Sequence, residues 1–415
     1  MTQSDRHDVA VLRELAAQVA EIAAKPVQEE RRRLWTAHHS LQPTRPLVLS
    51  TFGMWNVWCR EVFGDQNLKC KDPFYRERER TLRMRLFQDS TGDDSIQEPW
   101  FTERAAVRGE WGKLWGVTET FQMPGVEGGA WKFDPPIRDW SDAAKLRPTP
   151  HEVDETATRQ SVARVEDAIG DLLPIDVSRT PAYHGFLADI STTIARLRGL
   201  ENLMLDMYEH PAELHRLMSF MRDAILANNQ AAEDAGHYTL TSGSNQSMCY
   251  AGELERPRPN SGPRLRKALW GFCAAQEYTL ISPAFHREFL WQYQVPIMRH
   301  YGLVHYGCCE DLTAKIDMLR ELPNLRSIAV TPCANLAANA KQIGTDYCIS
   351  WRPNPTDMVC AGWDEARIRR IIGEGIAVCR GQRLHIHLKD VETVQGESDR
   401  LARWVRLVRE VASAG

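Results

Sequence analysis

Strand-like and helix-like patterns alternate through the last third of the chain, and this alternation limits the fold more than any other feature. "LVHYGCC" from Leu303 reads as a strand and "LTAKIDMLRELP" as a helix. "LRSIAV" is the next strand, and "NLAANAKQIG" a helix stopped by Gly344. "DYCISW" and "RLHIHL" are further strands, separated by the helix "DEARIRRIIGEGIAVCRG" and followed by the helix "SDRLARWVRLVREVAS". Strands alternating with helices imply parallel strands and right-handed crossovers. Upstream, helical spacing from Gly199 leads to a strand at "HYTLTS" from His237 and a helix in "SPAFHREFLWQYQVPIMRHYG". The expected fold is α/β, a (β/α)8 barrel of TIM type with an N-terminal helical extension. An open doubly wound sheet is the alternative, although no GxGxxG follows an early strand.

Residues 8–24 carry an amphipathic helix that Pro26 ends, and "VQEERRRLWTAHHSL" is a second helix leading to a short strand, "RPLVLS", at Arg45. The expected organisation is therefore an extension over 1–44 and a single barrel domain over 45–415. Early in the latter, within residues 51–150, Trp55, Trp58, Trp100, Trp111, Trp115, Trp131 and Trp140 fall in a Gly- and Pro-rich stretch that reads as an elaborated loop-and-strand region. "RERERTLRMR" at Arg76 alternates acid and base, the pattern of a solvated helix face.

A net charge of -4 gives nothing global to attract nucleic acid or an anionic membrane. No apolar run approaches the roughly 20 residues that span a bilayer, and the N-terminus has no signal-peptide core. Ten scattered cysteines do not form a secreted disulfide framework. These features point to a cytoplasmic protein, monomer or homodimer, whose partner is a small-molecule substrate.

In a barrel of this kind, reactive groups sit where strands end and the following loops begin. Cys308, Cys309 and Glu310 fall at such an end. So do Thr331-Pro332-Cys333, Arg352-Pro353-Asn354-Pro355 and Lys389-Asp390. His305, Cys308, Cys309 and His387 are candidate zinc ligands, because zinc takes imidazole and thiolate donors and a catalytic site leaves one position open. Buried packing is the alternative for a cysteine, and helix capping for Glu310. His385 and His387 lie two apart on one strand and share a face. His305 and Cys308 have opposite parity, so they meet only if the strand ends at Gly307, which permits a turn. Lys389 and Asp390 are read either as an acid/base couple or as an ordinary ion pair. Trp58 and Asn354 are candidate substrate contacts, Trp58 with core packing as its alternative.

"LADISTTIARLRGLENLMLDMYEHPAELHRLM" resembles the central helices of the uroporphyrinogen decarboxylase superfamily. "YGCCEDL", "IGTDYCISWRPNP" and "LHIHLKDVET" resemble a subgroup of it nearer the corrinoid- and zinc-dependent methyltransferases than the true porphyrinogen decarboxylases. The likeness runs from about Trp35 to the C-terminus. It implies a methyltransferase-like barrel enzyme that demethylates a small methylated substrate. It also implies zinc at the strand ends and a corrinoid supplied free or by a partner protein, since the chain has no Asp-x-His-x-x-Gly module of its own. The alternatives are a metal-free decarboxylase or lyase acting on a tetrapyrrole-like or polycarboxylate substrate, and a non-catalytic ligand-binding barrel. "DDSIQEPW" resembles the decarboxylase stretch in which an aspartate precedes a proline by five residues. That match implies a substrate-contacting role for Asp94 in the barrel mouth. Asp94, Glu310, Lys389 and Asp390 are the candidate catalytic set.

Overall fold

The computed structural model describes residues 3–50, 57–110, 112–123, 125 and 132–414, without the side chains of Gln3, Ser4 and Cys59. Trp55, Trp111 and Trp131 lie outside the described residues. Ten strands are described: β1 (Leu47–Leu49), β2 (Phe101–Arg104), β3 (Thr120–Gln122), β4 (Lys132–Asp134), β5 (Ile175–Ser178), β6 (Trp270–Cys273), β7 (Leu303–Tyr306), β8 (Leu325–Val330), β9 (Cys348–Trp351) and β10 (Arg383–His387). Six of them form one sheet in the order β1-β10-β9-β8-β7-β6. Every neighbouring pair in it is parallel. The strands expected from Leu303, Leu325, Asp346 and Arg383 are adjacent and in chain order. A further parallel pair, β2 and β5, and an antiparallel hairpin, β3 and β4, stand outside that sheet.

The two faces of the six-stranded sheet differ in chemistry, as strand alternation requires. One set (Val304, Ile328, Val330, Ile349, Leu384 and Ile386) joins the main apolar core. The opposite set on β7–β10 carries His305, Ser327, Ser350, His385 and His387, all fully buried. Imidazoles and hydroxyls therefore share one face of the sheet, and the opposite face is apolar.

Helix boundaries follow local capping chemistry. Asn335 accepts from Ala338 N–H at the start of the helix Leu336–Ile343, and Gly344, at φ +57°, stops it as expected. Asp364 caps Glu365–Val378 in the same way. That helix packs so closely on β9 that a Cβ on Gly375 would overlap the Trp351 ring.

Helix α1 (Gln3–Ala23) shares an apolar core with helices α3 (Pro73–Ser90) and α4 (Glu155–Ile169) and with the β2–β5 pair. Helix α2 (Pro26–His39) ends beneath the N-terminal ends of β8, β9 and β10. There the His38, His39 and Leu41 carbonyls accept from Cys348 Sγ, Arg326 and Arg383 respectively. Guanidinium groups at a helix C-terminus satisfy orphan carbonyls and complement the helix dipole.

One expected strand is absent. Residues 237–242 form a turn, with Ser242 N–H donating to Thr239 C=O at 3.0 Å. Hydroxyls explain the difference. Thr239 N–H donates to Ser242 Oγ, and Thr241 Oγ1 donates to Asp176 Oδ2 at 2.7 Å, so local side chains take the groups a strand ladder would use.

Candidate active site at the strand ends

Gly307 ends β7 with φ +105°, and a Cβ there would stand 2.9 Å from both Ala329 Cβ and Leu312 Cδ1. The positive φ turns the chain and brings two consecutive cysteines onto the rim. Cys308 Sγ lies 3.4 Å from Cys309 Sγ. Lys389, just beyond β10, donates from Nζ to Cys308 Sγ at 3.2 Å and to Cys309 Sγ at 3.7 Å. Asp390 completes the group: its Oδ2 is 2.9 Å from Lys389 Nζ and accepts from Cys309 Sγ at 3.8 Å. Asp390 has φ +54°, a left-handed conformation that aspartate tolerates at a turn.

Beneath the thiols, Arg352 from the end of β9 donates to the Cys308 carbonyl and, at 2.6 Å, to Gln246 Oε1. It also stands 3.3 Å from His305 Nε2. Glu310 is fully buried and accepts from Ala275 N–H at 2.7 Å and Cys308 N–H at 2.8 Å. It pins the thiol loop to the strand-end loop after β6. Cys308, Cys309, Lys389, Asp390 and Arg352 line a pocket of about 210 Å³ together with Pro332, Pro353 and Pro355.

This arrangement separates the two thiols electrostatically. The Cys308 thiol is lowered to about 6, first by the hydrogen bond from Cys309 and then, against the opposing effect of burial, by Lys389 and Arg352. Cys309 is raised, first by that same bond to Cys308 and then by burial. The pair thus shares one proton, and Lys389 and Arg352 favour the anion on Cys308. His305 is pushed well down by burial and by Arg352, and His387 by burial, Arg352 and Lys389, so both imidazoles are neutral.

The expected zinc ligands do not gather around one point. Among the described residues, the one group of three or more potential ligands with donor atoms all within 4.8 Å is His38, His39 and His385. At the rim, the Lys389 ammonium stands beside both sulfurs, where a metal cation would have to sit. Arg352 separates His305 from the thiol loop, and His305 Nδ1 is committed to Ser327 Oγ at 3.0 Å. The donor set of His305, Cys308, Cys309 and His387 therefore does not fit zinc here.

Asp94 lies elsewhere. Its carboxylate pairs with Arg45 at 2.7 Å and Arg409 at 2.8 Å and accepts from Val48 N–H at 2.8 Å. Arg45 precedes β1, so this cluster stands toward the N-terminal ends of the strands, whereas the thiols stand at the C-terminal ends. The expectation of Asp94 in the mouth is not met, because the chain returning from α3 runs alongside β1 and spends the carboxylate on ion pairs. Asn354 is exposed and caps the next turn by accepting from Thr356 N–H. Trp58 is fully buried and stacks on Phe63 at 5.8 Å. Sequence reasoning missed the roles of Arg352 and Gln246 and the pair His38-His39. The adjacent histidines at the end of α2, with His-Ile-His in β10, were the available signal.

Among solved structures, a methyltransferase from Methanosarcina mazei is similar over 92% of this chain and 98% of its own, with 10% identity and a TM-score of 0.49. No family model matches the chain, and no curated protein matches it.

Proposed function

We propose that this chain is a group-transfer enzyme in which the Cys308 thiolate takes a methyl group from a small methylated donor. The observation that carries the reading is Lys389 Nζ, 3.2 Å from Cys308 Sγ at the wall of an open pocket. A cationic neighbour and a proton-holding second thiol are the means by which a cysteine becomes a nucleophile. In the transfer, a Cys308 lone pair forms the new S–C bond. The bond from the methyl carbon to its former partner breaks, and that partner leaves with the electron pair. Cys309, which keeps its proton beside Asp390, can supply a proton to a basic leaving atom. Ligand pockets commonly run from about 300 Å³ upward, so this smaller one suits a donor of few atoms. A corrinoid, free or on a partner protein, would supply its methyl group from outside the rim. No step is assigned to zinc at the thiols.

The reading includes a barrel formed by residues 45–415, with 1–44 as its helical extension. Its support is that β1 and β10, the first and last strands, are neighbours, and that β2 and β5 supply two further parallel strands for the arc between β1 and β6. A doubly wound open sheet would instead begin near its middle.

The test is incubation with methylcobalamin, digestion and mass spectrometry of the peptide containing Cys308. A methyl adduct on Cys308 that forms more slowly in Lys389→Met supports the reading. Absence of the adduct, while iodoacetamide still labels the same thiol, sinks methylcobalamin as donor and leaves a nucleophile of another specificity.

A further inference from the structure

Away from the rim, at the N-terminal ends of the same strands, three imidazoles converge in the core. His38 and His39 come from the last turn of α2 and His385 from β10, and all three are fully buried. His38 Nε2 faces His385 Nδ1 at 3.0 Å. The ring centres are 5.2 Å apart for His38–His39, 5.1 Å for His38–His385 and 6.3 Å for His39–His385. We infer that these three side chains form a binding site for a divalent transition-metal ion, zinc foremost, that fastens α2 to the sheet.

Two observations lead there. Zinc–nitrogen bonds of about 2.0–2.1 Å at a tetrahedral centre place two ligand nitrogens about 3.3–3.4 Å apart. The His38–His385 pair is already at 3.0 Å and needs only a slight opening. His39 has the tautomer of a ligand: its Nδ1 donates to the Tyr250 carbonyl at 2.8 Å, so Nε2 carries the lone pair, which accepts from Ser247 Oγ at 3.3 Å until an ion takes it. An imidazole whose second nitrogen donates to a carbonyl is the usual supporting arrangement of metal-bound histidine.

Trp35 and Trp270 pack against the rings and exclude solvent, as the shell of a structural site does. Arg326 and Arg383 lie nearby, and their guanidinium groups are engaged with the His39 and Leu41 carbonyls.

The inference is independent of the proposed methyl transfer, because no thiol takes part. The whole chain is freed of metal with a chelator, dialysed, and titrated with zinc and separately with cobalt(II). One equivalent of either should bind, with the cobalt spectrum of a nitrogen and oxygen site. His385→Gln and His39→Gln should each lower the bound equivalents at least tenfold, and Cys308→Ser should leave them unchanged. Failure of the unsubstituted protein to hold a stoichiometric ion overturns the site. A thiolate-to-cobalt charge-transfer band overturns it too, by placing the ion on the cysteines, and this readout needs no variant to fold. Should His385→Gln fold and still hold a full equivalent, the assignment is wrong.

Discussion

Cys308 and Cys309 are chemically similar side chains one residue apart, and their surroundings make them unlike. Cys308 has the Cys309 hydrogen bond, Lys389 and Arg352 favouring its anion, whereas Cys309 has the proton and the neighbouring Asp390 carboxylate. Iodoacetamide labelling of Cys308, followed by peptide mass spectrometry, should therefore rise with pH through about 6, below the ordinary thiol value of 9.0. The sign follows from the shift: a lowered thiol pKa extends the reactive anion to lower pH. Cys309→Ala should move that midpoint upward by more than Lys389→Met does, since the hydrogen bond from Cys309 is the largest cause. A midpoint that stays near 9 in the unsubstituted protein would remove the basis for a nucleophile here. Glu310 acts differently, because its two oxygens satisfy two buried N–H groups. Glu310→Gln leaves one of those donors facing an NH2 group and should cost about 1–3 kcal/mol in denaturant unfolding. An unchanged unfolding midpoint would show that the loop finds other partners.

The elements that place these residues were legible to different degrees. Gly307 followed by two cysteines signalled a strand end and a turn, and the structure has both, with φ +105° at the glycine. The parity of His385 and His387 put both on one face, and both are fully buried on the face of β10 opposite Leu384 and Ile386. Two features depended on contacts that no local pattern encodes. The stretch 237–242 looked like a strand by composition, but its hydroxyls close a turn against Asp176. Helix α2 read only as a second helix leading to a strand, yet its final histidines enter the core, where Cys348, Arg326 and Arg383, distant in sequence, donate to the His38, His39 and Leu41 carbonyls. At this scale the testable residue is Gly307. Gly307→Ala places a Cβ against Ala329 and Leu312 on a left-handed backbone. It should cost about 1–3 kcal/mol of stability and also weaken the Cys308 labelling at pH 7, because the turn sets the thiol against Lys389. Loss of stability with an unaltered labelling midpoint would mean that the loop keeps its geometry without the glycine.

Across the whole molecule, Asp94 connects segments far apart in the chain: Arg45 before β1, the strand β1 itself through Val48, and Arg409 in the C-terminal helix Arg400–Ala414. The family resemblance suggested a substrate contact for this aspartate. Its role could not be read from the motif, because it depends on which end of β1 the returning chain runs beside. Burial pulls the Asp94 carboxyl up, but the Arg45 hydrogen bonds, the charges of Arg45 and Arg409 and the Val48 N–H together hold it below its ordinary 3.8. A depressed carboxyl pKa contributes stability above the unfolded value and loses it as pH falls through the folded one. Removing one partner of a fully buried ion pair costs about 3–5 kcal/mol. Here the arginine side chains are 41% and 39% exposed, so solvent screening reduces the effect. Asp94→Asn should therefore lower stability by about 1–3 kcal/mol at pH 7. The gap between variant and parent, followed by denaturant unfolding at successive pH values, should narrow as pH drops below 3.8 and the parent carboxylate is protonated. The pH profile of Cys308 labelling should stay where it is, since the two clusters stand at opposite ends of the parallel strands. A stability gap that does not depend on pH would locate the loss in packing rather than charge. A displaced labelling profile would mean that the two ends of the sheet are coupled.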